Sequence, residues 1–411
     1  MKKKILIISI VAIVIAGIIA TAVYIPIYKE EKAKKEELER IANATIIVDL
    51  KPDTTVTFME DIHVSSLIEN INGEIIDDYK IDTSKLGTQT IKFKYVNDED
   101  ITVPYKYSIN VIDNIPPEIW LSESKSIPVG TSYEDMMEKI TCADNLDDNP
   151  TCEIIGDYNL NKVGKYQLTY KAKDNYDNET TKDFTLNVYE PTGGNSTSTK
   201  RESWNLSSII NDYKKENTKI GIDVSSWQGD IDFARVKESG VEFVFIRVGS
   251  SKGINGEYFV DKKFEQNIKG FNEVGLPVGV YFYSYANSKE SAIKDAEWVL
   301  EQIKDYKVEL GVAYDWESWS FFNNFHQSFY STTMNAKAFL DTVSKEGYKG
   351  LLYSSKNYLE KVWYPLDDYD VWLAHYTKET SYKGKYKYWQ LASNGKVPGI
   401  NGFVDMNIMY E

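Results

Sequence analysis

Two carboxylates, Asp315 and Glu317, stand two residues apart at the end of the apolar run 311–314. If that run is a β-strand, its side chains alternate between two faces, so both carboxylates point to one side and Trp316 points to the other. Two carboxyl groups on one face can supply a proton and stabilise positive charge, which is the chemistry of acid-assisted cleavage of a glycosidic bond. The same triplet also fits a solvated strand end without a function, so the surrounding elements must decide between these two interpretations.

The elements that would position this pair form a strand–helix alternation from residue 219 onward. Strands that alternate with helices are parallel and joined by crossover helices, and about eight strands in roughly 200 residues predict an irregular (β/α) TIM-like barrel. In such a barrel the functional site lies at the C-terminal ends of the strands. Apolar runs predict strands at 219–224, 241–248, 277–283, 310–314, 350–353 and 371–374, and helices are predicted at 206–216, 261–274, 289–305 and 332–346.

Two further acids fall at matching places in this pattern. Asp223 ends the first predicted strand, and Asp405 lies on the last one. Asp223 alone could equally be a helix N-cap. If the barrel closes, however, both acids converge with Asp315 and Glu317 at one mouth, and four acids at one mouth indicate a functional site.

Several segments, in chain order, carry a resemblance to a known family. Together they resemble the family 25 glycoside hydrolases, which are lysozymes that cleave the bond between N-acetylmuramic acid and N-acetylglucosamine in peptidoglycan. The segments are GIDVSSWQG (221–229), the strand at 243–247, GLPVGVY (275–281), the Asp315-x-Glu317 pair, VWLAHY (371–376), YWQ (388–390) and VPGINGFVD (397–405).

The resemblance implies a role for each acid. Glu317 would be the general acid, and Asp315 would orient or stabilise the 2-acetamido group of the substrate. Asp223 would be a second essential carboxylate, and Asp405 would complete the acidic floor. A general acid that works near neutral pH needs a raised pKa. The resemblance implies no cofactor, and the substrate site that it implies contains Tyr283, Trp389, Gln390, Arg247 and Tyr376.

The N-terminus predicts where the chain resides. Three lysines precede an apolar run over residues 5–28, which is longer than the roughly 20 residues that cross a bilayer as a helix. We therefore expect a transmembrane signal anchor at 5–28, a cytoplasmic tail at 1–4, and C-terminal domains on the extracytoplasmic, cell-wall side. A cleaved signal peptide is the alternative, because residues 20–22 read Ala-Thr-Ala. Residues 29–43 interleave Lys and Arg with Glu at helical spacing and predict a charged helical stalk.

Short alternating strands between residues 44 and 190 predict two β-sandwich modules, at 44–114 and 115–190. Residues 86–93 align with 163–170 and residues 108–111 align with 185–188 at the same offset, which indicates a duplicated domain. The modules resemble the immunoglobulin-like (Ig-like) repeats of bacterial surface proteins, and this resemblance implies a spacer or adhesive role. A polar linker at 191–205 separates them from the C-terminal unit 206–411, whose core is 219–411.

Cys142 and Cys152 flank an Asp-rich segment at 144–149. This segment lacks the Gly and the distal Glu of an EF-hand loop, so we interpret it as a hairpin turn and not as a calcium loop. Two strands of a hairpin would bring the cysteines face to face, and we expect a disulfide in preference to two free thiols.

Composition narrows the class of partner. The chain has 47 Lys and Arg against 62 Asp and Glu, a net charge of -15, which disfavours nucleic acid. With three His and two Cys in the chain, a His- or Cys-rich metal site is not expected.

The leading hypothesis is a multidomain, membrane-anchored peptidoglycan hydrolase with an N-terminal transmembrane helix, two Ig-like modules and a C-terminal barrel. The alternative is a non-catalytic cell-surface glycan-binding or adhesion protein, and a third hypothesis gives the binding role to the β modules.

Overall fold

The computed structural model describes residues 25–191, 203–317, 322 and 326–411. The chain divides into two compact units, Met1–Asn114 and Ile115–Glu411. The expected tail at 1–4, the expected span at 5–28 apart from its last four residues, and most of the expected linker lie outside the described residues. No helix within the described part of the chain is both long and apolar enough to cross a membrane.

A solvent-exposed helix, α1, is described over residues 25–43 and includes the predicted stalk. Its charged side chains pair at helical spacing, for example Lys32 with Glu36 at 3.6 Å. Such an exposed pair contributes only about 0.2–0.5 kcal/mol to a helix, so α1 is a solvated charged helix rather than part of a packed core.

The first β module is a sandwich of two sheets. A four-stranded sheet has the order β2-β6-β5-β4, and β1 pairs with β3. The long hairpin β5–β6 alternates exposed with buried residues, which is the period-two pattern that predicted it. The strands are β1 (Val48–Leu50), β2 (Thr55–Thr57), β3 (Ile68–Ile71), β4 (Gly73–Ile75), β5 (Gly87–Asn97) and β6 (Thr102–Ile112).

The second β module, residues 115–190, repeats this topology at the start of the second unit. Its sheets have the orders β8-β12-β11-β10 and β7-β9. In both modules an edge strand runs parallel to the second strand of the long hairpin. The shared topology supports the predicted duplication. Its elements are β7 (Glu118–Trp120), β8 (Ser124–Pro128), α2 (Tyr133–Met137), β9 (Thr141–Ala143), β10 (Thr151–Ile155), β11 (Gly164–Lys173) and β12 (Glu179–Tyr189).

The two cysteines form a disulfide, but not across a hairpin. Cys142 lies on β9, Cys152 lies on β10, and their Cα atoms are 6.5 Å apart. The hairpin prediction is wrong because β9 pairs with β7 and β10 pairs with β11, so the bridge joins two sheets. The segment between them turns on Asp144, whose Oδ2 accepts from the backbone N–H groups of Leu146 at 2.8 Å and Asp147 at 2.7 Å.

The C-terminal part of the second unit is the predicted strand–helix alternation, and the structure confirms the predicted strands and helices to within a few residues. The strands are β13 (Trp204–Asn205), β14 (Thr218–Val224), β15 (Phe243–Ser251), β16 (Tyr258–Val260), β17 (Val278–Tyr283), β18 (Gly311–Asp315), β19 (Gly350–Ser355), β20 (Asp370–Ala374), β21 (Tyr388–Lys396) and β22 (Val404–Tyr410). The helices are α3 (Leu206–Tyr213), α4 (Phe233–Glu238), α5 (Phe264–Glu273), α6 (Lys289–Ile303), α7 (Phe329–Lys345) and α8 (Lys356–Lys361).

Eight of these strands close into a distorted barrel. The order is β14-β15-β17-β18-β19-β20-β21-β22, and β22 returns to pair with β14. All pairs are parallel except the two made by β22, which runs antiparallel to both neighbours. Because β22 is reversed, its first residues lie at the same end as the last residues of the other strands. This places Asp405 at the predicted mouth.

The barrel is filled by aromatic side chains. Phe245 stacks on Trp372, with ring centroids 4.3 Å apart. A Cβ atom at Gly221 or Gly279 would overlap the ring of Phe243 or Phe245, so glycine at these two interior positions makes room for the rings. The floor of the barrel is therefore solid, and open space remains at the mouth.

Candidate active site

Four acids meet at the mouth of the barrel. Asp223 on β14 and Asp405 on β22 are register partners, so they project to the same face. Asp315 is the last residue of β18, and Glu317 follows it by two residues. Asp223 is 6% exposed and Asp315 is 3% exposed. The sequence prediction that these four residues converge matches this geometry.

Asp223 is held by two side-chain amides. Its Oδ2 accepts from Gln390 Nε2 at 2.8 Å and from Asn407 Nδ2 at 2.8 Å. Gln390 lies on β21 and Asn407 lies on β22, two residues beyond Asp405. Two N–H donors on one oxygen favour the ionised form of a carboxyl group.

The orientation of both amides is fixed by their other contacts. Trp372 Nε1, which can only donate, bonds to Asn407 Oδ1 at 2.8 Å, so the NH2 group of Asn407 faces Asp223. Gln390 Oε1 accepts from the hydroxyls of Tyr353 at 2.9 Å and Tyr376 at 3.0 Å. These outer contacts leave the amide N–H groups as the only side of each amide that faces Asp223.

Burial nevertheless raises the pKa of Asp223 to about 6, because the protein displaces water from its charged form. The hydrogen bonds from the two amides oppose this increase, and the nearby charge of Glu317 adds to it. Asp223 is therefore ionised at neutral pH and becomes protonated in mild acid.

Asp315 and Glu317 form a second, more strongly perturbed pair. Burial raises the pKa of Asp315 well above its usual value, and the charge of Glu317 and a hydrogen bond between the two carboxyls raise it further. Burial also raises the pKa of Glu317, whereas the hydrogen bond from Asp315 lowers it. The two groups therefore cannot both ionise easily, and burial favours the form in which the pair retains one proton.

Asp405 and Arg247 also lie at the mouth. Burial and the charges of Asp223 and Glu317 raise the pKa of Asp405 to about 8. Arg247 on β15 instead lowers the pKa of Asp315. Its Nε and Nη2 donate to Asp261 Oδ2 at 2.9 and 2.5 Å, so Arg247 presents a fixed positive charge rather than a free hydrogen-bonding fork.

A cleft of about 470 Å³ opens beside the acid pair. Its lining includes Glu317, Tyr353, Tyr358 and Tyr376. Tyr376 is 55% exposed, so its ring is available to the apolar face of a sugar. Glu317 is the member of the acid pair that faces this cleft.

The remaining predicted substrate residues do not all lie open to the mouth of the barrel. Tyr283 is the register partner of Asp315 and stays at the mouth. Trp389 does not: it is 3% exposed, its Nε1 donates to the carbonyl of His375, and it packs edge-on against Tyr213 in the outer layer. Neighbouring strand residues face opposite sides, so Trp389 and Gln390 cannot both line the site. Gln390 contacts Asp223 rather than lying open to a sugar.

Sequence reasoning missed four residues, although the strand period contained a signal for two of them. Tyr281 lies two residues before Tyr283, and its pKa is raised by burial and by the charges of Asp223, Asp315 and Asp405. Asn407 lies two residues after Asp405 on the same face. Tyr353 and Tyr358 are brought to the site by tertiary contacts, which no sequence pattern predicts. Trp316 is fully buried and packs in the outer apolar layer against Phe322 and Trp363, so it points away from the acids as predicted.

Comparison with known proteins fits this arrangement. The family described as "Glycosyl hydrolases family 25" matches residues 222–400, and "Bacterial surface protein, Ig-like domain" matches residues 119–188. The autolytic lysozyme of Clostridium acetobutylicum is 30% identical over 193 residues, which is 46% of this chain and 56% of that protein. Lysozyme M1 of Streptomyces globisporus is 24% identical over 216 residues, 46% of this chain and 66% of that protein.

This chain thus spans little more than half the length of the clostridial relative. Among solved structures, a family 25 glycosyl hydrolase from Bacillus anthracis aligns with 52% of this chain and 95% of its own, with a TM-score of 0.43 and 23% identity. The family matches cover most of the barrel, with Asp223, Asp315 and Glu317 inside the matched residues and Asp405 beyond them, and most of the second β module. Residues 222–400 therefore form a glycosyl hydrolase family 25 domain, which follows a bacterial surface Ig-like domain at residues 119–188.

Proposed function

We propose that the barrel is a peptidoglycan hydrolase that cleaves the β-1,4 bond between N-acetylmuramic acid and N-acetylglucosamine. The observation that carries the proposal is the buried, hydrogen-bonded pair Asp315 and Glu317 beside an open cleft, where burial raises the pKa of both carboxyls. A protein that only binds glycan gains nothing from such a pair. The similarity to an autolytic lysozyme and to lysozyme M1 supports the choice of substrate.

In the proposed reaction, the proton that Asp315 shares with Glu317 passes to Glu317, which faces the cleft and delivers it to the glycosidic oxygen as the C1–O bond breaks. The pair then carries an additional negative charge next to the positive charge that develops on the sugar. Asp223, kept ionised by its two amide donors, adds to this stabilisation. Water supplies the hydroxyl group to C1, and its remaining proton returns to the pair.

The test uses the Glu317→Gln variant, which keeps the shape of the side chain and removes its titratable proton. We expect the wild-type chain to clear a peptidoglycan suspension and release reducing ends, and the variant to be slower by at least about 10²-fold. Mass spectrometry of the products identifies the bond that is cut. Circular dichroism of the variant confirms that its fold is intact.

Two results would contradict the proposal. Undiminished clearing by Glu317→Gln would remove Glu317 as the acid. If the wild-type chain binds several wall preparations without cutting them, the protein is a surface glycan-binding or adhesion protein instead.

We also propose that residues 5–28 anchor the chain in the cell membrane, with the barrel on the cell-wall side. The apolar composition of that segment and the lysines before it support this proposal. Confinement at the membrane would restrict the enzyme to glycan strands within its reach.

A further inference from the structure

The second β module shares an apolar core with the barrel. The outer apolar layer of the barrel includes Ala143, the last residue of β9, and packs against Trp120, the last residue of β7. Both residues come from the small sheet β7-β9. A shared core fixes this sheet relative to the barrel, whereas domains joined by a small polar contact are expected to move independently.

Helix α7, which follows the acid pair in the chain, begins against the same module. The backbone N–H of Phe329 donates to the carbonyl of Asp144 at 2.9 Å. Ser328 N and Ser331 Oγ each donate to Asp148 Oδ1 at 2.7 Å. The first N–H groups of a helix have no partner inside it, and a negative charge there is favourable. The module thus fixes where α7 starts.

Tyr358 on α8 connects the module to the proposed acid. Its hydroxyl donates to the backbone carbonyl of Glu317 at 2.9 Å. Its ring lies 5.5 Å from the ring of Trp316 and 6.0 Å from the ring of Trp120. One side chain therefore contacts the backbone of the acid and a tryptophan of the β module.

Trp120 is itself secured to the barrel. The Lys361 ammonium, on α8, lies 5.8 Å from the centroid of the Trp120 ring and pairs with the carboxylate of Glu118 on β7. A cation over an indole face and an adjacent ion pair both resist displacement of that ring. The Trp120–Tyr358 contact is therefore held from two sides.

We propose that the second β module is a positioning element of the active site: Trp120 fixes Tyr358, and Tyr358 fixes Glu317. The inference rests on the proposed function of the barrel. The cleft beside Glu317 is lined by barrel residues, so the module acts on the placement of the acid and not through contact with the glycan. Asp148 contributes by holding the start of α7, which packs against β18, the strand that ends at Asp315.

The test measures hydrolysis of soluble peptidoglycan fragments by the full chain, because soluble fragments remove any effect of access to the wall. We expect Trp120→Ala to lower kcat about tenfold, since small displacements of a catalytic group cost this much or more, and to change KM by less than roughly twofold. The control is Tyr133→Ala, which removes an exposed aromatic ring from α2 of the same module and should leave kcat unchanged.

Two readouts separate positioning from a general loss of stability. In a Tyr358→Phe background, which lacks the hydroxyl, Trp120→Ala should cost much less than it does in the wild type. The basic limb of the pH profile should also move to lower pH in Trp120→Ala, because a less confined Glu317 loses part of the burial that raises its pKa.

An unchanged kcat in folded Trp120→Ala, or additive losses in the double variant, would overturn the inference. If Trp120→Ala fails to fold, Asp148→Ala decides: a reduced kcat with unchanged KM supports the proposal, and wild-type kinetics refute it. An inactive wild-type chain would refute the proposed function of the barrel instead.

Discussion

Gln390→Met removes one of the two N–H donors from Asp223 and keeps an unbranched side chain of similar size. The hydrogen bond that is lost, from Nε2 to Oδ2 at 2.8 Å, has a charged acceptor, and such bonds contribute about 1.5–3 kcal/mol. Since one pKa unit corresponds to about 1.4 kcal/mol, the pKa of Asp223 should rise by about one to two units. It would move from about 6 to roughly 7–8.

This shift has a defined kinetic consequence. At pH 6 about half of Asp223 is ionised in the wild type, and about a tenth or less would be ionised in the variant. If the ionised form stabilises the positive sugar, kcat/KM at pH 6 should fall about fivefold or more, and the loss should shrink as the pH rises. The assay is a pH profile of kcat/KM on soluble glycan fragments.

A matched control is Gln266→Met, which removes an amide that donates at 3.4 Å to the exposed carboxylate of Asp230 on the surface. Its profile should overlay that of the wild type. Gln390→Met also removes the acceptor of the Tyr353 and Tyr376 hydroxyls, so the measurements should be made well below the unfolding temperature of the variant. An acidic limb that does not move in Gln390→Met would refute the assignment of that limb to Asp223 and its amides.

Asp405→Asn should stabilise the protein at high pH while lowering activity. The folded state raises the pKa of Asp405 to about 8, so it binds the proton more tightly than the unfolded chain does, and stability is lost as the pH rises from about 4 through 8. After most of the pKa shift is discounted for solvent screening, the free energy of unfolding of Asp405→Asn should exceed that of the wild type by about 1–2 kcal/mol at pH 9. This corresponds to a Tm roughly 3–6 °C higher at pH 9, with no difference at pH 4. Equal Tm values of the two proteins at pH 9 would contradict this prediction. For the proposed anchor, cell fractionation should recover a chain that begins at Met1 in the membrane fraction, whereas a secreted chain shortened after Ala22 would identify a cleaved signal peptide.

The strand pattern was sufficient to predict most of the barrel and the position of its acids. Buried parallel strands are continuous apolar runs, and an acid directly after such a run lies at the mouth whatever the remaining contacts are. For this reason Asp223, Asp315 and Glu317 could be placed from sequence. Asp405 was placed at the correct mouth, although the sequence did not indicate that its strand runs antiparallel.

Side-chain partners could not be predicted in the same way. Gln390 and Asn407 contact Asp223 across 167 and 184 residues of chain, and no local period encodes such a contact. The family resemblance implied that Trp389 lies in the sugar site, although strand alternation already opposed placing it there with Gln390. The disulfide was expected across a hairpin, whereas the pairing of β9 and β10 with other strands makes it a bridge between sheets.

The pair Asp315 and Glu317 shows most clearly what the sequence determines and what the tertiary structure determines. Its residue types and two-residue spacing determined by themselves that two carboxyls share a face at the end of a strand. Only the tertiary structure decided that this face is buried, that the two carboxyls are hydrogen-bonded to each other, and that Tyr358 and Trp120 stand behind Glu317. The physical reason is that spacing along a strand sets the direction in which its side chains point. The desolvation and the ionisation of those side chains depend instead on which distant segments close around the site.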